Sequence, residues 1–275
     1  MFVTKENGER EPFDPRKLIQ SLDRSGASEQ AVQEVLRHVS AELSDGVSTR
    51  EIYGKAFSLL RGMEAPVAAR YSMKRAVLEL GPSGFPFEDF IGEIFKAKGF
   101  RVETGVMING LCVEHEVDLV ASNDHQYLLG EAKFHNELGL KSDLKVALYV
   151  EARIEDIQAL RAKNGEKIEA EGWLITNTKF TKSVVSYASC KGLKIVSWNY
   201  PRYGNLHDLI EETGVHPLTC LTTLSGQQKS SLLGQGIVLC KSIQSDTEKL
   251  KFVGVTGEHL QKVLDESRRL CVPHV

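Results

Sequence analysis

The sequence predicts an α/β protein in which a mostly α N-terminal segment precedes a sheet-containing segment and a small helical tail. Apolar residues recur at helical spacing over most of residues 14–80, and strand and helix patterns alternate over residues 83–200. Short helices broken by glycine and proline follow in residues 201–275. Because Gly81-Pro82 interrupts the pattern, we predict domains at 1–82, 83–200 and 201–275.

Composition restricts the class of protein. Hydrophobic residues make up 41% of the 275 residues, which is enough to build real cores, and the formal net charge is −3. No apolar run has the length of a membrane span, and the N-terminal MFVTKENGER lacks the apolar core of a signal peptide. The five cysteines are scattered without a CxxC pair. We therefore expect a cytoplasmic protein with reduced thiols and no membrane partner.

The first segment is predicted to be a hairpin followed by four helices. The hairpin has strands at Phe2-Val3-Thr4 and Pro12-Phe13 with an Asn7-Gly8 turn. The predicted helices begin at Asp14-Pro15, at Ser28, at Ser48 with Glu51 as a capping box, and at Ala65 for a helix that runs to Leu80.

The central segment contains VEHEVDLVASNDHQYLLGEAKF (113–134), which is predicted to be a β-hairpin with charged side chains in unusual places. Asp118 interrupts the first apolar run, and Glu131 and Lys133 are two residues apart and so share a face. In one interpretation, Asp118, Glu131 and the Ala132 carbonyl bind Mg²⁺, and Lys133 lies beside the metal-bound water. In the other, Glu131 and Lys133 form an ion pair at the strand end and Asp118 faces water.

Helices and strands surround this hairpin. A helix is predicted through Phe87 to Phe95, with Glu88 off its apolar stripe, and a long helix from Ser142 to about Ala162. Arg153 on the long helix could reach a scissile-strand phosphate or pair with Glu155 or Asp156 in solvent, and the pairing in solvent is the expectation. Strands are predicted at Trp173–Thr176 and Leu193–Val196.

Asp118 followed by Glu131-Ala132-Lys133 resembles the D…ExK signature of the PD-(D/E)xK nuclease superfamily. The preceding GFPFEDFIGEIFKAKGFRVE and the later WLITNTKFTKSVVSYASCKGLKIVSW resemble the opening helix and closing elements of its Mrr-like restriction endonuclease branch. The resemblance runs from about Gly84 to Trp198. It implies a restriction-endonuclease-like sheet domain with Asp118, Glu131 and Lys133 as catalytic residues, and with Glu88 as the helix glutamate that adds to the metal site.

VTKENGEREPFDPRKLIQSL, STREIYGKAFSLL and AARYSMKRAV resemble segments of the ATP-cone, a nucleotide-binding regulatory domain. This resemblance implies that Lys5 and Lys17 reach the phosphates of ATP or dATP, and that Val3 and Leu18 border the base. Where the family has a second cation after the hairpin lysine, this chain has Glu6, so Lys5 and Lys17 as ordinary surface charges stay an alternative.

Together these patterns predict a Mg²⁺-dependent DNA endonuclease of the restriction type, regulated by ATP or dATP at its N-terminal domain. The expected partners are DNA, the nucleotide effector and further copies of the chain. The alternative is a non-catalytic nucleotide-sensing DNA-binding or regulatory protein that keeps the nuclease fold. Residues 201–275 fit a small DNA-binding module, a dimerisation element or a packing role equally well.

Overall fold

The computed structural model describes residues 1–6 and 8–271 and has the mixed α/β architecture that the sequence predicts. A helical N-terminal region leads into a five-stranded sheet, which is followed by a helical C-terminal region. The predicted turn at Asn7 lies outside the described residues. Within the described ranges, none of the helices has the length and apolar character that crossing a membrane requires.

The N-terminal region is a short antiparallel hairpin on a helical layer. Strands β1 (Phe2–Thr4) and β2 (Arg10–Pro12) pair, and the Asp14, Ser28 and Ser48 side chains cap helices as predicted, with Glu51 completing the capping box. The helices of this region are α1 (Pro15–Arg24), α2 (Glu29–Ala41), α3 (Thr49–Met63), α4 (Ala65–Tyr71) and α5 (Met73–Leu78).

The single fourth helix predicted over Ala65–Leu80 is wrong, because the structure divides it at Ser72 into α4 and α5. The Ser72 hydroxyl donates a hydrogen bond of 2.8 Å to the Ala69 carbonyl oxygen. A serine that bonds to the preceding turn competes with the regular helical ladder. The break directs α5 toward the central domain, where Met73 and Val77 are fully buried.

The central sheet has the strand order β3-β4-β5-β7-β9. Strands β3, β4 and β5 form an antiparallel meander, and β5, β7 and β9 are parallel. A separate parallel pair, β6 with β8, lies beside the sheet. The elements in chain order are α6 (Phe85–Ala97), β3 (Arg101–Asn109), β4 (Glu114–Ser122), β5 (Tyr127–Lys133), β6 (Lys141–Ser142), α7 (Leu144–Lys163), β7 (Ala170–Thr176), β8 (Lys179–Phe180), α8 (Lys182–Lys191) and β9 (Lys194–Val196).

Helices cover both faces of the sheet. Helix α6 packs on one face, where Leu119, Leu128 and Ala132 share a core with its phenylalanines. Helices α7 and α8 pack on the other face against Leu129 and Leu174. Because strand residues two positions apart point to the same face, Glu131 lies on the α7 side together with Leu129. A charge therefore lies at the edge of an apolar layer.

Strands β3 and β4 twist at the level of Asp118, so that their residues contact a different core on each side of this point. Thr104 pairs with Leu119 and Val106 pairs with Val117, so Gly105 stands opposite Asp118 in the register. Gly105 has φ +60°, a left-handed conformation that glycine adopts without steric cost. Leu119 packs with the α6 core, whereas Val106 and Val117 pack with the α7 core. This local twist places Asp118 where the strands change layers.

The C-terminal helices pack into the same core as α5 and α6. They are α9 (Leu206–Thr213), α10 (Gly226–Leu233), α11 (Thr247–Phe252) and α12 (Gly257–Leu270), with short 3₁₀ turns at Leu218–Cys220 and Cys240–Gln244. The Thr219 hydroxyl donates to the Ala76 carbonyl oxygen at 2.5 Å, which fastens this region to α5. Of the roles that the sequence left open for residues 201–275, packing against the rest of the chain is therefore observed.

Two of the cysteines expected to be reduced are joined in the structure. Cys240 and Cys271 form a disulfide with their Cα atoms 7.2 Å apart, so the expectation is corrected for this pair. It links the Cys240–Gln244 turn to the end of α12. Within the described residues Cys112, Cys190 and Cys220 are free thiols.

Phe90 tests the core between α6 and the sheet. Its side chain is fully buried, whereas Phe85 on the same helix is 70% exposed. Phe90→Ala should lower the free energy of unfolding by about 3–5 kcal/mol, because it removes buried surface and leaves a cavity. Phe85→Ala, the matched control, should change it by less than about 0.5 kcal/mol. Urea unfolding followed by circular dichroism measures both, and equal losses would contradict the assigned burial.

Candidate functional site

Two of the predicted catalytic carboxylates are neighbours across β4 and β5. Leu119 pairs with Gly130 in the antiparallel register, so Asp118 stands beside Glu131. The Asp118 Oδ2 atom accepts a hydrogen bond of 2.8 Å from the Ala132 backbone N–H. Two carboxylates and the Ala132 backbone thus meet at one point of the sheet.

Glu131 pairs with α7 and not with Lys133. Arg153 Nη1 donates to Glu131 Oε2 at 2.7 Å, and the Tyr149 hydroxyl donates to Glu131 Oε1. The Glu131 side chain is 12% exposed and that of Arg153 is 22% exposed. The predicted solvated pairing of Arg153 with neighbouring acids is therefore wrong, because α7 turns this residue toward the sheet.

Glu88 adds a third carboxylate to the site from the first turn of α6. Burial raises the pKa of Glu88 to about 7, and the negative charge of Asp118 acts in the same direction. Burial, and next the charge of Glu131, raise the pKa of Asp118 to about 6, against the opposing effect of its hydrogen bond from Ala132. Like charges in a poorly solvated place favour the protonated forms. The site consequently has more negative charge than the chain neutralises.

Lys133 lies at the end of β5, on the same strand face as Glu131. Among the described residues, no carboxylate is within 4.0 Å of its ammonium group. Its position is fixed through the following backbone, because Asn177 accepts from the His135 N–H at 2.9 Å and donates to the His135 carbonyl oxygen at 2.8 Å. The ion pair between Glu131 and Lys133, one of the two interpretations from the sequence, is absent here.

The donor set at this point of the sheet partly meets the needs of a divalent cation. Mg²⁺ takes one or two carboxylates and keeps several waters, and Asp118 and Glu131 are hard oxygen donors of that kind. Both oxygens of Glu131 are already bonded, however, to Arg153 and Tyr149. Over residues 1–6 and 8–271, no three His, Cys, Asp or Glu side chains are grouped so as to hold a metal. Two oxygen donors of a suitable kind are present, and metal binding would require Glu131 to change partners.

The sequence reasoning missed three residues that define this site. Tyr149 and Asn177 were not considered, and Arg153 was assigned to solvent. Tyr149 and Arg153 are four residues apart on α7, the spacing of side chains on one helix face, and this was the available signal. His115 of β4 lies 2.8 Å from the Asp156 carboxylate and so joins this strand to α7.

Three of the four predicted nucleotide-binding residues line one small cavity. Val3, Lys17 and Leu18 border a space of about 160 Å³ between the hairpin and α1, and Lys5 lines an adjoining, larger cleft. Val3 and Leu18 are buried. Glu11 lies between the two lysines, 3.0 Å from Lys5 and 2.8 Å from Lys17. Both lysines that the sequence assigns to the phosphates are thus paired with one carboxylate.

A relative with a clear match is an uncharacterized protein from Archaeoglobus fulgidus, which is 32% identical over 181 residues, 66% of this chain and 99% of the relative. The chain belongs to the AF1548-like family. Residues 216–271 match the AF1548-like C-terminal domain, and residues 1–77 match the ATP cone domain. The crystal structure of the protein of unknown function AF1548 overlaps with 69% of this chain and 98% of its own, at 30% identity and a TM-score of 0.55.

Two further solved structures overlap more loosely with this AF1548-like protein. Can2 from Sulfobacillus thermosulfidooxidans, in complex with cyclic tetra-adenylate, covers 69% of this chain and 60% of its own at 9% identity. The MspJI restriction endonuclease, in complex with an oligonucleotide, covers 72% of this chain and 39% of its own at 12% identity. Both have TM-scores of 0.33, an overlap too limited to support a functional conclusion.

Replacing each cation of the site separately tests which one pairs with Glu131. Arg153→Met should lower the free energy of unfolding by about 1–3 kcal/mol, because it leaves a largely buried carboxylate without its charged partner. Lys133→Met should cost less than about 1 kcal/mol, since Lys133 forms no ion pair with the residues that the structure describes. Urea denaturation at neutral pH gives both values. A larger loss for Lys133→Met would show that Glu131 pairs with Lys133 in solution.

Proposed function

We propose that this AF1548-like protein is a metal-dependent DNA endonuclease whose activity responds to a nucleotide bound at its ATP-cone domain. The observation that supports the catalytic part is the meeting of Asp118 and Glu131 across two central strands, with Glu88 nearby and with Lys133 unpaired on the face of Glu131. Carboxylates that lay on the surface by chance would be solvated, whereas Asp118, Glu131 and Glu88 lie close together at the sheet.

Asp118, Glu131 and the Ala132 carbonyl would hold the Mg²⁺ ion. When bound, this ion supplies charge stabilisation to a phosphodiester and an activated water. The raised pKa values of Asp118 and Glu88 support a cation here, because a positive charge relieves the repulsion that contributes to them. Arg153 and Tyr149 hold the Glu131 carboxylate on the α7 side, and Glu131 would have to release them to serve as a metal ligand.

The remaining groups act on the substrate directly. The Lys133 ammonium donates hydrogen bonds to a phosphate oxygen and stabilises the negative charge that develops on it. Asn177 keeps the chain after Lys133 in place through two hydrogen bonds to the His135 backbone. Glu88 approaches from α6 and limits the site on the side opposite α7.

A second candidate function is a non-catalytic nucleotide-sensing DNA-binding or regulatory protein that keeps the nuclease fold. The contacts of Glu131 favour it, because Arg153 and Tyr149 satisfy both carboxylate oxygens without a metal. In this case Arg153 forms a structural ion pair with Glu131, and Asp118 has no catalytic role.

The ATP-cone match supports a nucleotide effector, ATP or dATP. Val3 and Leu18 offer an apolar surface for a base, and Lys5 and Lys17 are within reach of its phosphates. Because Glu11 pairs with both lysines, a phosphate must displace this carboxylate. The negative charge of Glu6 further opposes the approach of the phosphate. Arg75 partly offsets Glu6, with which it pairs at 3.2 Å.

Cleavage of DNA in the presence and absence of Mg²⁺ tests the catalytic part. Asp118→Asn should lower the rate by more than about a hundredfold, the order of magnitude for loss of one group that stabilises the transition state. Asp124→Asn is the matched control, since Asp124 lies in the turn of the same hairpin with its side chain 90% exposed, and it should cleave at the wild-type rate. Wild-type cleavage that persists in excess chelator would refute the metal requirement. Absence of cleavage with Mg²⁺ or Mn²⁺, with DNA binding retained, would favour the second function.

Calorimetric titration of ATP and dATP tests the effector. Lys5→Ala/Lys17→Ala should weaken binding by at least about tenfold, because it removes two charge-assisted contacts to phosphate. Glu11→Gln should strengthen binding, because it frees the same two lysines from a competing carboxylate. Bound nucleotide should change the cleavage rate or the self-association of the protein, measured by sedimentation, by about 5- to 150-fold. Equal affinity in wild type and in both variants would remove these lysines from the site.

A further inference from the structure

A large cavity lies between the N-terminal region and the central domain. It measures about 620 Å³, within the range of small-molecule sites. One wall comes from α1, α4 and α5, and the other from the segment around Lys141, from Lys179, and from Trp198 and His207. We call this space the junction cleft. It is separate from the proposed nuclease site, since its lining includes none of the carboxylates of that site and not Lys133.

The junction cleft is strongly basic although the whole chain has a net charge of −3. Seven lysine or arginine side chains line it against two glutamates, Glu6 and Glu9. In the part of the chain that the structure describes, four of these cations make neither an ion pair nor a side-chain hydrogen bond: Arg24, Lys74, Lys141 and Lys179. Burial, and next the charge of Lys179, lower the pKa of Lys74. These positive charges therefore repel one another in a partly desolvated space.

The fold places two of these cations, Lys141 and Lys179, directly opposite each other. Strands β6 and β8 pair in parallel, and their register places Lys141 directly against Lys179. Like charges directly opposite each other on paired strands destabilise the pair. The chain offers no carboxylate within 4.0 Å of either ammonium among the residues described. A bound anion would remove this cost.

The junction cleft adjoins the cavity beside Val3 and Leu18. Four residues line both spaces: Ser21, Thr49, Tyr53 and Tyr71. A nucleotide with its base in the smaller cavity can therefore extend its phosphates into the cleft. There it meets lysines that form no ion pair within the described residues, whereas Lys5 and Lys17 already pair with Glu11.

We propose that the junction cleft is the triphosphate-binding part of the nucleotide site, with Lys74 of α5 and Lys141 and Lys179 of the central domain as its phosphate ligands. Ammonium groups bind phosphate oxygens through charge-assisted hydrogen bonds. The site is then shared between the ATP-cone region and the central domain, so that one ligand connects the two. This inference rests on the proposed nucleotide effector, and it assigns two of the three phosphate ligands to residues outside the matched ATP cone at 1–77.

The test is calorimetric titration of ATP and AMP into the full chain and into Lys141→Ala/Lys179→Ala. We expect ATP affinity to fall by at least about tenfold in the variant and AMP affinity to change much less, since AMP lacks the outer phosphates. The variant should fold, because it removes a repulsion. Lys163→Ala/Lys167→Ala is the matched control, as it removes two exposed lysines outside the cleft, and it should bind ATP like wild type.

The outcomes separate this inference from the proposed effector. If ATP binds wild type and the cleft variant equally while Lys5→Ala/Lys17→Ala weakens it, the cleft assignment is wrong and the effector stands. If wild type binds no ATP, the effector fails, and titration of inorganic tripolyphosphate then decides the cleft: binding that is lost in Lys141→Ala/Lys179→Ala retains a phosphate site, and no binding overturns it. Binding of a single-stranded oligonucleotide with the same lysine dependence, but of neither ATP nor tripolyphosphate, would overturn it in favour of a nucleic-acid surface.

Discussion

The charge of Glu131 on the central strand is the constraint on which the candidate site depends. Strand β5 pairs with β4 on one side and β7 on the other, so it has no edge in solvent, and helices cover both of its faces. A carboxylate in such a place is costly unless it is paired. Arg153 and Tyr149 provide the pairing, and this couples the position of α7 to the strand that carries Lys133.

Acidic and basic side chains form separate clusters in this protein, although its formal net charge is only −3. Carboxylates from α6, β4 and β5 gather on the sheet, where burial, and next the neighbouring negative charges, raise the pKa values of Glu88 and Asp118. Lysines and arginines gather in the junction cleft, where Lys74 and Lys179 repel each other. Under the two proposals, an ion of opposite sign would stabilise each cluster, a metal cation at the carboxylates on the sheet and phosphates at the lysines of the cleft.

The C-terminal region explains how the N-terminal and central parts are held against each other. Its helices share one core with α5 and α6, and Thr219 bonds to the Ala76 carbonyl oxygen. Glu266 of α12 accepts hydrogen bonds from the backbone N–H groups of Thr222 and Thr223 at 2.8 and 2.9 Å, which fixes the loop before α10. The walls of the junction cleft are thereby set by packing that lies largely outside it.

Local signals in the sequence determined the helix starts at Asp14, Ser28 and Ser48, and the strands that carry Asp118 and Glu131, because caps and apolar periodicity act over a few residues. The resemblance to known families also indicated the central sheet and the ATP-cone region. Only the tertiary structure decided which partner each charge takes. The choice of Arg153 over Lys133 for Glu131, and the opposition of lysines in the junction cleft, join residues far apart in the chain, and such pairings depend on how helices and strands pack rather than on the spacing of residues along the sequence.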